Sequence, residues 1–194
     1  MGYSGGSSTA KSFFCARKTV SDNNIVPKVC LYSISFSVLP AISLEKGILH
    51  CEIVEGSFRS DSFAIFIQNL LDHVEPFPGP NSVIVMDNCR IHKSPFIQEM
   101  IRARYVVVFT VQVSTDNQIT RGVRCEFLPP YSPDYNPIEL AFSCMKYYLR
   151  RHGEYVRLAM TTMTEAEVYH CLLKALYSIS MEDIRGWYKY CGYI

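Results

Sequence analysis

Two carboxylates are set apart by what precedes each of them. Asp87 closes the run "VIVMD", a short apolar stretch of the kind buried on both faces of a sheet. It therefore stands where a strand meets a loop, the end of an α/β sheet at which ligands gather. Glu139 lies in "FLPPYSPDYNPIEL", where four prolines in fourteen residues stiffen the approach to a helix. If the stiff loop faces Glu139 toward the end of the Asp87 strand, the pair could hold magnesium or manganese, hard cations that prefer oxygen ligands. Two such ions about 3.5 to 4 Å apart activate water and stabilise the leaving oxygen in phosphodiester cleavage. Each residue also has a purely structural reading. Asp87 can open an Asx-turn in "DNCRIH", in which His92 is a turn or surface residue. With Asn136 as N-cap and Pro137 first in the helix, Glu139 can reach back to the Asn136 amide as a capping box. The residues taken singly leave both readings open.

The segments around them must do the positioning. Residues 1–28, rich in glycine, serine and asparagine, read as an irregular N-terminal segment. From Val29, "VCLYSISFSVLPAIS" sets Leu31, Ile34, Phe36 and Val38 between serines, and "GILHCEIVEG" follows across a Glu-Lys-Gly turn. This is an antiparallel pair. "SDSFAIFIQNLLDHV" repeats its apolar residues at helical spacing, with Ser60 or Asp61 as cap. In "SPFIQEMIRAR", Ser94 precedes Pro95 as a helix start. Two β-prone runs follow, "YVVVFTVQV" and "VRCEFL", and then three helical segments from Asn136, Thr164 and Met181. The first half is rich in strands and the end is rich in helices.

With 194 residues, 48% of them apolar, the chain can bury one substantial core. A net charge of +1 argues against a strongly basic nucleic-acid binder, although a local cationic face is compatible with it. Eight cysteines lie scattered with no C-x-x-C pair, which argues for buried thiols in a reducing compartment and against a structural zinc site. No apolar run approaches the ~18 residues that cross a bilayer, and no signal peptide is seen, so the expectation is no membrane and no secretion.

The joint pattern says more. "SVIVMDNCRIHKSPFIQEMI" followed by "FLPPYSPDYNPIELAFSCMKYYLRR" resembles the catalytic core of mariner-like DDE transposases, and "SFSVLPAISLEKGILHCEIVEGSFRSDSFAIFIQNLL" upstream extends the resemblance over roughly Tyr32 to His152. The resemblance implies an α/β fold, an RNase H-like mixed sheet flanked by helices with a helical C-terminal end. It also implies a metal-binding Asp-Asp-Glu triad whose second and third members fall on Asp87 and Glu139, with Mg2+ or Mn2+ as cofactor. The implied units are 1–28, a core domain 29–152 and a helical extension 153–194.

Two departures qualify the resemblance. The family's first aspartate sits on the first core strand, usually in a "DE" segment, and none occurs here. Asp22, the one aspartate before Asp61, has neither an apolar run before it nor a glutamate after it. The expectation is a sheet that lacks its first, central strand, with "AKSFFCARKTV" available to fill part of the gap. The second departure is spacing. Deleting the 17 residues Tyr105 to Arg121 shortens the interval between Asp87 and Glu139 from 51 residues to 34, the spacing the family typically shows. This stretch reads as an insertion, of the kind a retained intron would leave, and a transcript keeping those bases in every copy would refute the intron origin.

Lys146, Arg150 and Arg151 recur at i, i+4 and i+5 on the helix from Pro137, opposite the apolar stripe Ile138, Ala141, Phe142, Met145 and Leu149. Together with His92 they are candidate nucleic-acid contacts, or simply a solvated face. The family's N-terminal helix-turn-helix domain has no counterpart here, so binding should be weak and salt-sensitive. The expected function is metal-dependent DNA cleavage and strand transfer in transposition, by a site that lacks one carboxylate. The alternative is a catalytically inactive transposon relic that serves as a nucleic-acid-binding or interaction module. DNA is the expected partner, with room for a homodimer, and the expected location is the nucleus in a eukaryote or the cytoplasm otherwise.

Overall fold

The structure, a computed structural model, describes residues 12–15, 18–21, 35–104, 122–154 and 164–194, the first two segments by their backbone. Residues 105–121, Asp22, Leu31 and Ile34 lie outside the described residues.

Four strands open the fold: β1 (Ser12–Cys15), β2 (Lys18–Ser21), β3 (Ser35–Ser43) and β4 (Gly47–Glu55). β3 and β4 form the expected antiparallel hairpin, running from Phe36↔Glu55 to Ser43↔Gly47. Its turn needs glycine at Gly47 on two counts. The backbone there has φ +75°, and a Cβ would come within 2.8 Å of Met181 Sδ.

The N-terminal strands correct an expectation. Residues 12–15 and 18–21 are not irregular, and the central strand position is occupied. β1 pairs antiparallel with β3, Phe13↔Ser43 to Cys15↔Ala41, and β2 continues along β3 from Lys18↔Val38 to Ser21↔Ser35. One residue forward on β1 and β2 is one residue back on β3 throughout, so the two short strands share a single unslipped register. On its other edge β1 pairs parallel with β5 (Val83–Met86), and β5 pairs parallel with β6 (Arg124–Phe127). The result is a mixed sheet, as expected, with β1 between β3 and β5. "SFFC" has the aromatic and apolar character favoured in strands, and the glycine- and serine-rich neighbourhood masked it.

Helices cover both faces. On one, Phe63, Phe66, Ile67 and Leu70 of α1 (Ser60–Leu70) and Ile97 and Ile101 of α2 (Pro95–Ala103) meet Leu39, Ala41, Ile84 and Met86. On the other, Ile138, Ala141 and Phe142 of α3 (Pro137–Arg151), Leu176 of α4 (Glu165–Tyr177) and Ile184 and Tyr188 of α5 (Met181–Tyr190) meet Ile42, Val85 and Leu128. Alternate residues of β3 thus enter opposite cores, so Ser37 and Ser43 are buried too. Ser37 Oγ donates to the Gly56 carbonyl at 2.5 Å, and Ser43 Oγ donates to Asn81 Oδ1 at 2.6 Å, which offsets the cost of burying them. The N-cap of α1 is Arg59 rather than Ser60 or Asp61. Ser62 Oγ accepts from the Arg59 amide and closes the first turn.

The six cysteines whose side chains are described are free thiols, Cys171 and Cys191 buried and Cys51, Cys89, Cys125 and Cys144 half-buried. Burial pushes Cys51 up to about 12 and Cys125 up to about 11, with Glu52 and Glu126 adding to it. Both are therefore protonated and unreactive at neutral pH. No described helix is long and apolar enough to cross a membrane.

Candidate metal and nucleic-acid site

β5 ends at Met86 because the next residues turn away from the sheet. Asp87 Oδ1 accepts the Cys89 amide at 2.9 Å, the Asx-turn its sequence suggested. Asn88 Nδ2 then donates to the Leu128 carbonyl, while the Leu128 amide donates to the Met86 carbonyl at 2.9 Å. The turn carrying Asp87 is thereby stitched to the start of the proline-rich loop that leads to Glu139.

That loop is held at its far end as well. Pro133–Tyr135 form one 3-10 turn, and the C-terminal Tyr193 hydroxyl donates to the Tyr135 carbonyl at 2.9 Å. Asn136 is the N-cap of α3 and Pro137 its first residue, as the sequence indicates, and Asn136 Oδ1 accepts the Ile138 amide at 3.4 Å. The reciprocal arm of the cap differs from expectation. The Asn136 amide donates to the Pro133 carbonyl at 2.9 Å, so the 3-10 turn does what was assigned to the Glu139 side chain. Glu139 is half-buried at the third position of α3.

Asp87 and Glu139 rise from elements that share a core, since Val85 and Leu128 pack with Ile138 and Phe142. The side chains whose donor atoms come within 4.8 Å of one another are Asp87, Cys89 and His92, and Glu139 is not of that group. His92 is fully buried, its ring stacked 4.6 Å from that of Phe63, with Nδ1 2.7 Å from Asp87 Oδ1. Complete burial removes it from contact with nucleic acid. The reading of His92 as a DNA contact is corrected on that ground. "D-x-C-x-x-H" was the available signal for the three-residue cluster, and its spacing matches no C-x-x-C zinc pattern, which is why sequence reasoning passed over it.

α3 buries Ile138, Ala141, Phe142, Met145 and Leu149, the predicted stripe. Arg150 and Arg151 are exposed, Lys146 is half-buried, and Arg151 Nη1 donates to the Tyr147 hydroxyl at 3.0 Å. Tyr131, on the loop before α3, is wholly exposed with φ +57°.

The oxygen donors that a hard divalent cation prefers are offered by only some of these elements. Asp87 and Glu139 supply carboxylates, whereas β1, with the sequence Ser-Phe-Phe-Cys, and β2, with Lys-Thr-Val-Ser, supply none.

Comparison with known proteins agrees with this architecture. The crystal structure of the Mos1 strand transfer complex matches 93% of this chain and 55% of its own at 11% identity, with a TM-score of 0.50. A pre-cleavage Mos1 transpososome matches 93% of this chain and 56% of its own at 10% identity, with a TM-score of 0.52. Identities this low establish the shared fold, and this chain spans little more than half the length of either. No curated protein matches the sequence. The profile of the family described as DDE superfamily endonuclease matches residues 33–159, nearly two thirds of the chain. With that profile spanning both Asp87 and Glu139 on an RNase H-like sheet, the chain belongs to the DDE superfamily endonuclease family.

Proposed function

We propose that this chain is the catalytic-core portion of a transposase acting on DNA by metal-dependent phosphodiester cleavage and strand transfer, with Asp87 and Glu139 as ligands to Mg2+ or Mn2+. The observation that carries this reading is the packing of α3 against the sheet face of β5, through Val85, Leu128, Ile138 and Phe142. It seats a first-turn carboxylate on the element that covers the end of the Asp87 strand. The Cys89 amide holds the Asp87 carboxylate in one orientation, and the 3-10 turn before α3 gives the Asn136 amide a backbone partner. When bound, the cation supplies activation of water and stabilisation of the leaving oxygen. Arg150 and Arg151 would meet backbone phosphates, with Lys146 beside them, and Tyr131 offers a face for a base to stack on.

A second reading has its own support. β1 and β2 present no carboxylate where the family carries its first one, which favours a catalytically inactive relic that binds nucleic acid or a protein partner. Supercoiled plasmid incubated with Mn2+ and the chain, beside Asp87→Ala and Glu139→Ala, separates the two. Nicking that disappears in both variants supports the enzyme. No nicking by any of the three chains, with DNA still retained at low salt, supports the relic.

A further inference from the structure

We propose that Asp87, Cys89 and His92 form a binding site for a borderline transition-metal ion, zinc above all, distinct in donor chemistry from the all-oxygen site of the proposed function. The set is one oxygen, one sulfur and one imidazole nitrogen, all within 4.8 Å, and it is the one group of three such residues among the described residues. Hard cations such as magnesium disfavour thiolate and imidazole, whereas zinc takes all three donors, commonly with a fourth position left open.

An independent observation points to a ligand here. His92 is completely buried, yet neither ring nitrogen has a hydrogen-bond partner of acceptable geometry, although Nδ1 lies only 2.7 Å from Asp87 Oδ1. A buried imidazole left unsatisfied costs free energy, and an ion shared with the carboxylate removes that cost at Nδ1. Zinc bond lengths of about 2.0 Å to nitrogen and oxygen separate tetrahedral ligands by about 3.3 Å. The His92 and Asp87 donors therefore need to part by a few tenths of an ångström. Cys89 is half-buried, so its sulfur can close the remaining gap by rotating about χ1. The Asp87 side chain is 40% exposed, so an ion arrives from solvent over Asp87 and Cys89 onto His92 at the floor. Coordination exchanges the Cys89 S–H bond for an S–metal bond and releases the proton to solvent, with no change of oxidation state.

The site shares Asp87 with the proposed function but does not depend on DNA cleavage. The chain, stripped with chelator and kept reduced without a thiol, is titrated with Co2+ as a spectroscopic probe. The expected result is a thiolate-to-cobalt charge-transfer band saturating at unit stoichiometry, displaced by Zn2+ and lost in Cys89→Ser. Glu139→Gln, which removes a ligand of the all-oxygen site, keeps the band, so failure of the cleavage reading leaves this result intact. Absence of the band in the parent chain, or its persistence in Cys89→Ser, overturns the proposal. A measurement on the parent chain guards against a variant that does not fold. Zn2+ should protect Cys89 from alkylation, read peptide by peptide in a mass spectrometer, and equal labelling of Cys89 with and without Zn2+ likewise overturns the site.

Discussion

Asn136 connects the loop to the site. It is 3% exposed, caps α3 through its side chain and receives the chain from the 3-10 turn through its amide. Asn136→Ala keeps the backbone bond to Pro133 but orphans the Ile138 amide in a buried setting. The expected cost is about 1 to 2 kcal/mol of folding stability, read as a lower urea midpoint with an unchanged slope. Glu139→Ala should cost less than Asn136→Ala in the same measurement, because the Asn136 amide already donates to the Pro133 carbonyl at 2.9 Å. A loss at Glu139 as large as that at Asn136 would restore the capping-box reading. The comparison separates two roles that the motif "NPIE" superimposes.

At the scale of elements, the C-terminal helices begin with reciprocal caps. Ser180 Oγ accepts the Asp183 amide at 3.1 Å and donates to Asp183 Oδ2 at 2.6 Å, and the Ser180 amide donates to the same carboxylate at 3.0 Å. These bonds, the hydroxyl first, hold the Asp183 carboxyl below its ordinary value. A carboxylate whose pKa is lower folded than unfolded stabilises the fold above the unfolded pKa. That contribution is lost as the pH falls from the ordinary aspartate range, about 4, through the depressed folded value. Ser180→Ala should therefore cost about 1 kcal/mol at neutral pH, and the gap between parent and variant should narrow in thermal melts as the pH falls below the ordinary aspartate range. A gap independent of pH would mean that the hydroxyl acts without the carboxylate. α5 matters beyond its own stability, since the Tyr188 hydroxyl donates to the Ile42 carbonyl at 3.1 Å and Met181 closes over Gly47. The helix thus clamps β3 and its turn, and it feeds into the Tyr193 tie to the proline-rich loop.

For the whole molecule the decisive feature is β1, seated between β3 and β5. A chain shortened through Ser21 would lose both β1 and β2 and leave an open edge on β3 and another on β5, each a template for aggregation. The expected outcome is insoluble or molten protein, without a cooperative melt. A soluble, cooperatively melting truncation would show that the sheet closes without these strands. The strand in that central position has the residues Ser12, Phe13, Phe14 and Cys15, none of them a carboxylate.

The sequence by itself determined what depends on neighbours in the chain. The hairpin of β3 and β4, the buried strand ending at Asp87, the helix starts at Ser94 and Asn136 and the buried stripe of α3 follow from local periodicity, turn residues and caps. Those signals span only a few residues. Tertiary structure decided what depends on partners far apart. A four-residue strand such as β1 has too few positions to show a period, and only pairing with β3 and β5 defines it. The burial of His92 against Phe63 and its approach to Asp87 and Cys89 arise where α1 crosses the turn after β5, a contact that no spacing within "DNCRIH" encodes.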